Sequence, residues 1–100
     1  DLAKVEVVGG INRPPLEISS TKELYEKLEK VAKELGMPEI GHASVGGASD
    51  GNLAAAAGTK VLDGLGAVGV GAHAPTESLV ISSVEPRIKL TTAFITELLK

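Results

Sequence analysis

The order of apolar and polar residues divides the chain into extended and helical segments. Lys4-Val-Glu-Val-Val8 alternates charged and apolar residues and then stops at Gly9-Gly10, the period-2 signature of a short strand with one wet face. In Ile11-Asn-Arg-Pro-Pro15, two prolines remove two backbone donors and stiffen the chain. That segment cannot continue a ladder and should hold Arg13 on a fixed, extended loop. From Ser20 to about Leu35 the period becomes helical. Leu24, Leu28, Val31 and Leu35 form one stripe, while Glu23/Lys27, Glu26/Lys30 and Glu29/Lys33 form i,i+4 pairs in the favourable order. Ser20 and Glu23 make a capping box, and Gly36 and Pro38 end the run. The prediction is an amphipathic helix that lays its apolar stripe on a sheet and solvates its charged face.

Glu39 to Val45 is a weaker strand candidate. The small residues of Gly46-Gly-Ala-Ser-Asp50 and the following alanines permit close backbone approach, and Ser49 or Asp50 can cap a short helix through Ala57. Lys60 to Leu65 is a third strand candidate and Leu79-Val-Ile81 a fourth short extended piece. Ser82-Ser-Val-Glu-Pro86 opens a last helix with a Ser/Glu box and proline in the first turn, running to Leu99 with Ile88, Thr91, Ile95 and Leu98 on one side. Strand, helix, strand, helix, strand, helix predicts an α/β layer with helices packed on a small sheet.

Composition narrows the functional classes. A chain of 100 residues makes one small domain that can bury roughly 60 to 65 % of its unfolded surface, so the core is thin. Tyr25 and Phe94 are its aromatic residues, leaving aliphatic side chains to fill the interior. The net charge is −3, with Lys and Arg scattered among acids, so there is no basic stripe for nucleic acid. No apolar run approaches the ~20 residues of a membrane span. With no cysteine the chain has neither disulfide nor thiolate site, which fits a reducing, cytoplasmic compartment, and any metal would bind through His, Asp or Glu. Asp1-Leu-Ala-Lys4 has no initiator Met and no signal-peptide pattern, as expected of a truncated, processed or trimmed beginning.

Several motifs carry candidate chemistry. Gly64-Leu-Gly-Ala-Val-Gly69 matches G-x-G-x-x-G, but it continues through Gly71 to Pro75 without helical periodicity and has no acid on a second strand; a glycine-rich loop is the better reading than a dinucleotide site. His73 lies in Gly69-Val-Gly-Ala-His-Ala-Pro-Thr-Glu77, where it is either an ordinary hydrogen-bonded histidine or one ligand of a metal site. Nothing near His42 raises it above the ordinary case. A self-sufficient site needs three or four ligands, and no His-x-x-x-His or paired-carboxylate pattern supplies them. Gly46-Gly-Ala-Ser-Asp-Gly-Asn52 is either a turn and cap or a place where backbone N–H groups receive a carboxylate or oxyanion. Arg13 is either a surface ion pair or a carboxylate grip preorganised by its prolines.

Taken in order and spacing, Gly46-Gly-Ala-Ser-Asp-Gly-Asn52, Leu62-Asp-Gly-Leu-Gly66, Gly71-Ala-His73 and His73-x-x-x-Glu77 resemble the carboxy-terminal part of the M20 metallopeptidases. These include glutamate carboxypeptidases, acetylornithine deacetylase and succinyl-diaminopimelate desuccinylase. The resemblance implies a two-zinc site in an α/β catalytic domain interrupted by a smaller lid that is also the dimerisation domain. On that pattern residues 1–15 are the last lid strand and return crossing, and residues 16–100 the carboxy-terminal part of the catalytic domain. His73 matches a zinc ligand and Arg13 the lid arginine that grips the substrate carboxylate. Gly46, Gly47, Ser49, Asp50 and Asn52 match the substrate-binding loop, and Glu77 takes a role behind the metal ligand or in fixing the loop.

The departures from that pattern are equally informative. The resemblance places the His-x-Asp ligands, the bridging aspartate, the paired glutamates with the general base and a further acidic ligand upstream of these residues. The expected function is therefore that of a carboxy-terminal piece of a zinc amidohydrolase, a carboxypeptidase or deacylase acting on small peptides or N-acyl amino acids. Alone it should be inactive. The expected partners are the rest of the catalytic domain and further copies of the chain, since uncovered strands and helix faces promote self-association. The alternative is a non-catalytic assembly or binding module that keeps the peptidase-like fold.

Overall fold

The computed structural model describes residues 2–100. Helix α1 (Ile18–Glu34) and the short α2 (Asp50–Ala56) precede an antiparallel hairpin of β1 (Gly69–Val70) and β2 (Ser78–Leu79). A 3-10 turn, Ile81–Ser83, then leads into α3 (Val84–Leu98). The α/β class read from the sequence stands, as three helices with a small two-stranded sheet.

Helix α1 follows its apolar stripe. Leu28, Val31 and Ala32 are buried against Leu90 and Phe94 of α3, with Leu24, Leu35, Met37, Ile40, Leu62, Leu65 and Ala93 around them. Its end is a Schellman motif: Gly36 at φ +72 donates to the Lys33 carbonyl, and Met37 donates to that of Ala32. Its start differs from the expected one. The helix begins at Ile18 after an extended Glu17 that makes no side-chain cap, so Ser20 lies inside the first turn and the Ser20/Glu23 box is not used. The Ser20 carbonyl instead accepts the Val61 N–H at 2.9 Å, which docks the later chain beside the helix start.

Helix α3 also differs. The face toward α1 carries Leu90 and Phe94, whereas Ile88, Ile95 and Leu98 of the expected stripe are 61, 50 and 43 % exposed. Both stripes exist, because α3 is apolar on two sides, and α1 covers only one. The Ser82/Glu85 box is also absent, for a local reason. The Ser83 hydroxyl accepts from Val68 N–H at 2.8 Å and donates to the Val80 carbonyl at 2.6 Å. It staples the hairpin to the start of α3 instead of capping the helix.

Three expected strands are not formed. Residues 4–8, 39–45 and 60–65 have no ladder partner, and a period-2 pattern becomes a strand only where a neighbouring strand accepts its backbone. Residues 39–42 are held otherwise: the Tyr25 hydroxyl donates to the Ile40 carbonyl at 2.7 Å, and the His42 ring meets the Tyr25 ring edge to face at 5.3 Å. Of the fourth extended piece, Leu79 is in β2 while Ile81 enters the 3-10 turn. Register in the hairpin pairs Gly69 with Leu79 and Val70 with Ser78.

The molecule is open for its size. Its accessible surface is 8140 Å², against about 5300 Å² for a folded monomer of this mass. Its radius of gyration is 17.3 Å, where a compact chain of this length has about 13 Å. No helix among the described residues is long and apolar enough to cross a membrane.

Candidate functional site

Two groups of residues singled out in the sequence occupy separate places in the fold. The first is built on the start of α2. Ser49 is extended, its hydroxyl accepts the Gly51 N–H at 3.1 Å, and its own N–H donates to Asn52 Oδ1 at 3.1 Å. This is a reciprocal capping box with Asn in the place more often taken by Glu or Gln. The other end of the Asn52 amide, Nδ2, donates to the Pro14 carbonyl at 2.9 Å. Asn52 is the buried polar residue of the chain, 8 % exposed among the described residues. A carboxamide suits this place because it offers one acceptor and one donor.

That one side chain joins the proline segment to the glycine loop. Arg13 Nη1 accordingly lies 3.1 Å from Asp50 Oδ1, the Arg13 side chain partly covered and that of Asp50 almost fully exposed. Gly51 leaves room for the join, since a Cβ there would stand 3.0 Å from Val61 Cγ1. Sequence reasoning missed the role of Asp63 here. Asp63 Oδ2 accepts the Ser49 hydroxyl at 2.7 Å, and Oδ1 accepts the Gly64 N–H at 2.8 Å. Its signal was an acid directly before a glycine, and Gly64 adopts φ +83, a turn in which Asp side chains commonly bond the backbone. Gly46 and Gly47 are exposed and lie in open space.

The second group is the hairpin loop, residues 71–77. Ala74 N–H donates to the Gly71 carbonyl at 2.9 Å, and Glu77 N–H donates to that of Ala74 at 3.0 Å, so two β-turns follow one another. Pro75 stands second in the later turn, where its fixed φ is suited. His73 stands third in the earlier one at φ +66, the one non-glycine residue with positive φ among those described. A positive φ at the third position belongs to a type II turn, where glycine is preferred. An imidazole held there carries backbone strain and is aimed by the turn. Gly69 and Gly71 are needed beside it: a Cβ on Gly69 would meet the Ser78 oxygen at 2.7 Å, and one on Gly71 would lie 3.3 Å from Thr76 backbone atoms. The Gly64–Gly69 stretch leads into β1 and opens no helix, as its lack of helical period implies.

Among the described residues no hydrogen bond or ion pair connects His73 to the Arg13 group, and the Glu77 carboxylate makes neither. Among them too, no three His, Asp or Glu residues come together in a group that could hold a metal ion. His73 therefore stands as a single exposed imidazole, and the donors present do not by themselves fit a dinuclear zinc site.

Comparison with curated proteins and with solved structures gave no match. The family model described as Peptidase family M20/M25/M40 matches residues 3–97, a span that takes in the Arg13, Ser49, Asn52 and Asp63 cluster, the His73 turn and nearly all of α3, and the chain belongs to that family.

Proposed function

We propose that this chain supplies the carboxy-terminal share of an M20-type zinc amidohydrolase that cleaves an amide beside a free carboxylate. In that reading residues 1–15 close the lid and residues 16–100 complete the catalytic domain. His73 is one zinc ligand, Arg13 anchors the substrate carboxylate, and Gly46, Gly47, Ser49, Asp50 and Asn52 position the substrate. Glu77 steadies the loop that carries His73. A small peptide or N-acyl amino acid is the substrate, and the lack of cysteine suits a cytoplasmic setting.

The observation that carries the reading is the His73 turn. A left-handed histidine on an exposed glycine-flanked hairpin is an arrangement that stability does not favour, and it presents an imidazole to something outside the chain. One imidazole cannot hold two metal ions, so no hydrolytic step is assigned to these residues alone.

A second reading is a non-catalytic assembly or binding module. It draws on the Arg13–Asp50 ion pair, because a guanidinium already held by an internal carboxylate can serve simply to join two segments. The two readings separate when the chain is mixed with the amino-terminal remainder of an M20 catalytic domain and zinc. Hydrolysis that appears on mixing and disappears in His73→Ala supports the enzyme; assembly without hydrolysis, indifferent to His73→Ala, supports the module.

A further inference from the structure

The segment Leu2 to Ile11 makes no backbone hydrogen bond to another described residue. Its apolar side chains are bare, with Leu2, Val5, Val7 and Val8 between 82 and 102 % exposed. A row of free N–H and C=O groups bearing β-branched side chains is a template for pairing with another strand. Its charges decide which strand fits. Lys4 and Glu6 flank Val5 symmetrically, so the segment is complementary to its own reverse.

We propose that Leu2–Val8 pairs antiparallel with the same segment of a second copy, with Val5 on the twofold axis. That register sets Lys4 against Glu6 of the second copy, Glu6 against Lys4, Ala3 against Val7 and Leu2 against Val8. Every cross-strand pair is then either opposite in charge or apolar on both sides, as directly opposed side chains require. Moving the register by one residue sets a charge against an apolar side chain, and moving it by two sets Lys4 against Lys4 or Glu6 against Glu6. Parallel in-register pairing also opposes like charges. The odd positions Ala3, Val5 and Val7 make one apolar face of the resulting ribbon. A strand has two edges, so pairing with a neighbour inside a larger protein leaves the second edge for this contact. The contact does not depend on the roles given to His73 and Arg13.

Sedimentation equilibrium of the full chain tests it. The wild-type chain forms a dimer, and Lys4→Glu and Glu6→Lys each weaken it about tenfold, since two favourable pairs become repulsive. The doubly exchanged chain, Lys4→Glu with Glu6→Lys, regains the wild-type affinity, and so does an equimolar mixture of the two single variants. Because the chain has no cysteine, Val5→Cys gives a disulfide-linked dimer on mild oxidation, while Val45→Cys, at another exposed valine, gives little. The segment makes no hydrogen bond to the rest of the fold, so circular dichroism of the variants retains the wild-type helix signal. A monomer at every concentration overturns the proposal, as does a dimer indifferent to the single charge changes or one that the double exchange fails to restore.

Discussion

At the scale of single residues, His73, Asn52 and Tyr25 each carry a measurable consequence. The positive φ of His73 costs about 1–2 kcal/mol for an L side chain, and glycine gives back part of that through its larger unfolded-state entropy. His73→Gly should therefore raise stability by about 0.5–1 kcal/mol in urea melts, and His73→Val should lower it; equal effects of both would mean that the turn is not left-handed. Asn52→Asp keeps the acceptor for Ser49 but loses the donor to Pro14 and adds charge beside Asp50 and Asp63. A cost of about 1–3 kcal/mol is expected, together with release of the Arg13 segment. The Tyr25 phenol has its pKa raised above the usual 10.0, first by desolvation and then by Glu29 and Glu39. The folded state thus favours the neutral phenol. Its contribution is intact below the unfolded pKa near 10 and is lost as pH rises through the higher folded value. In Tyr25→Phe that alkaline loss should disappear from a pH series of melts.

At the scale of elements, legibility depended on whether the partners lie close in sequence. The α1 stripe, the Gly36 stop and the Ser49 cap of α2 were readable because each is settled within about one helical turn. The Ser20 and Ser82 boxes were readable too, yet distant groups claimed those segments, Val61 in one case and the Val68–Ser83 bond in the other. The three missing strands show the same dependence, since alternation at 4–8 specifies a face but no neighbour. The link from Asn52 to Pro14 spans 38 positions, and only the fold reveals it. A hairpin prediction follows from Gly69. In Gly69→Ala the new methyl must displace the Ser78 carbonyl, so amide exchange at Val70 and Val80 should rise to unprotected rates. The helix signal should persist, because α1 and α3 form the core without the hairpin.

At the scale of the whole molecule, excess surface and a doubly apolar α3 are one observation. Ile88, Ile95 and Leu98 face water because α1 has only one face to offer, and the chain spreads to 61 Å along its longest axis. This arrangement suits a piece that completes a larger domain, and the zinc chemistry of the candidate site is incomplete in the same sense. The family was legible because its motifs are glycine-bearing turns, whose local geometry confines the residues they accept. The site as a whole was not, because the other donors it needs are absent from these residues. The most direct test is zinc binding by the purified chain alone, followed by equilibrium dialysis alongside a peptide hydrolysis assay. The account predicts at most one weakly held ion per chain, lost in His73→Ala, and no turnover; two tightly held ions with hydrolysis of a peptide would contradict it.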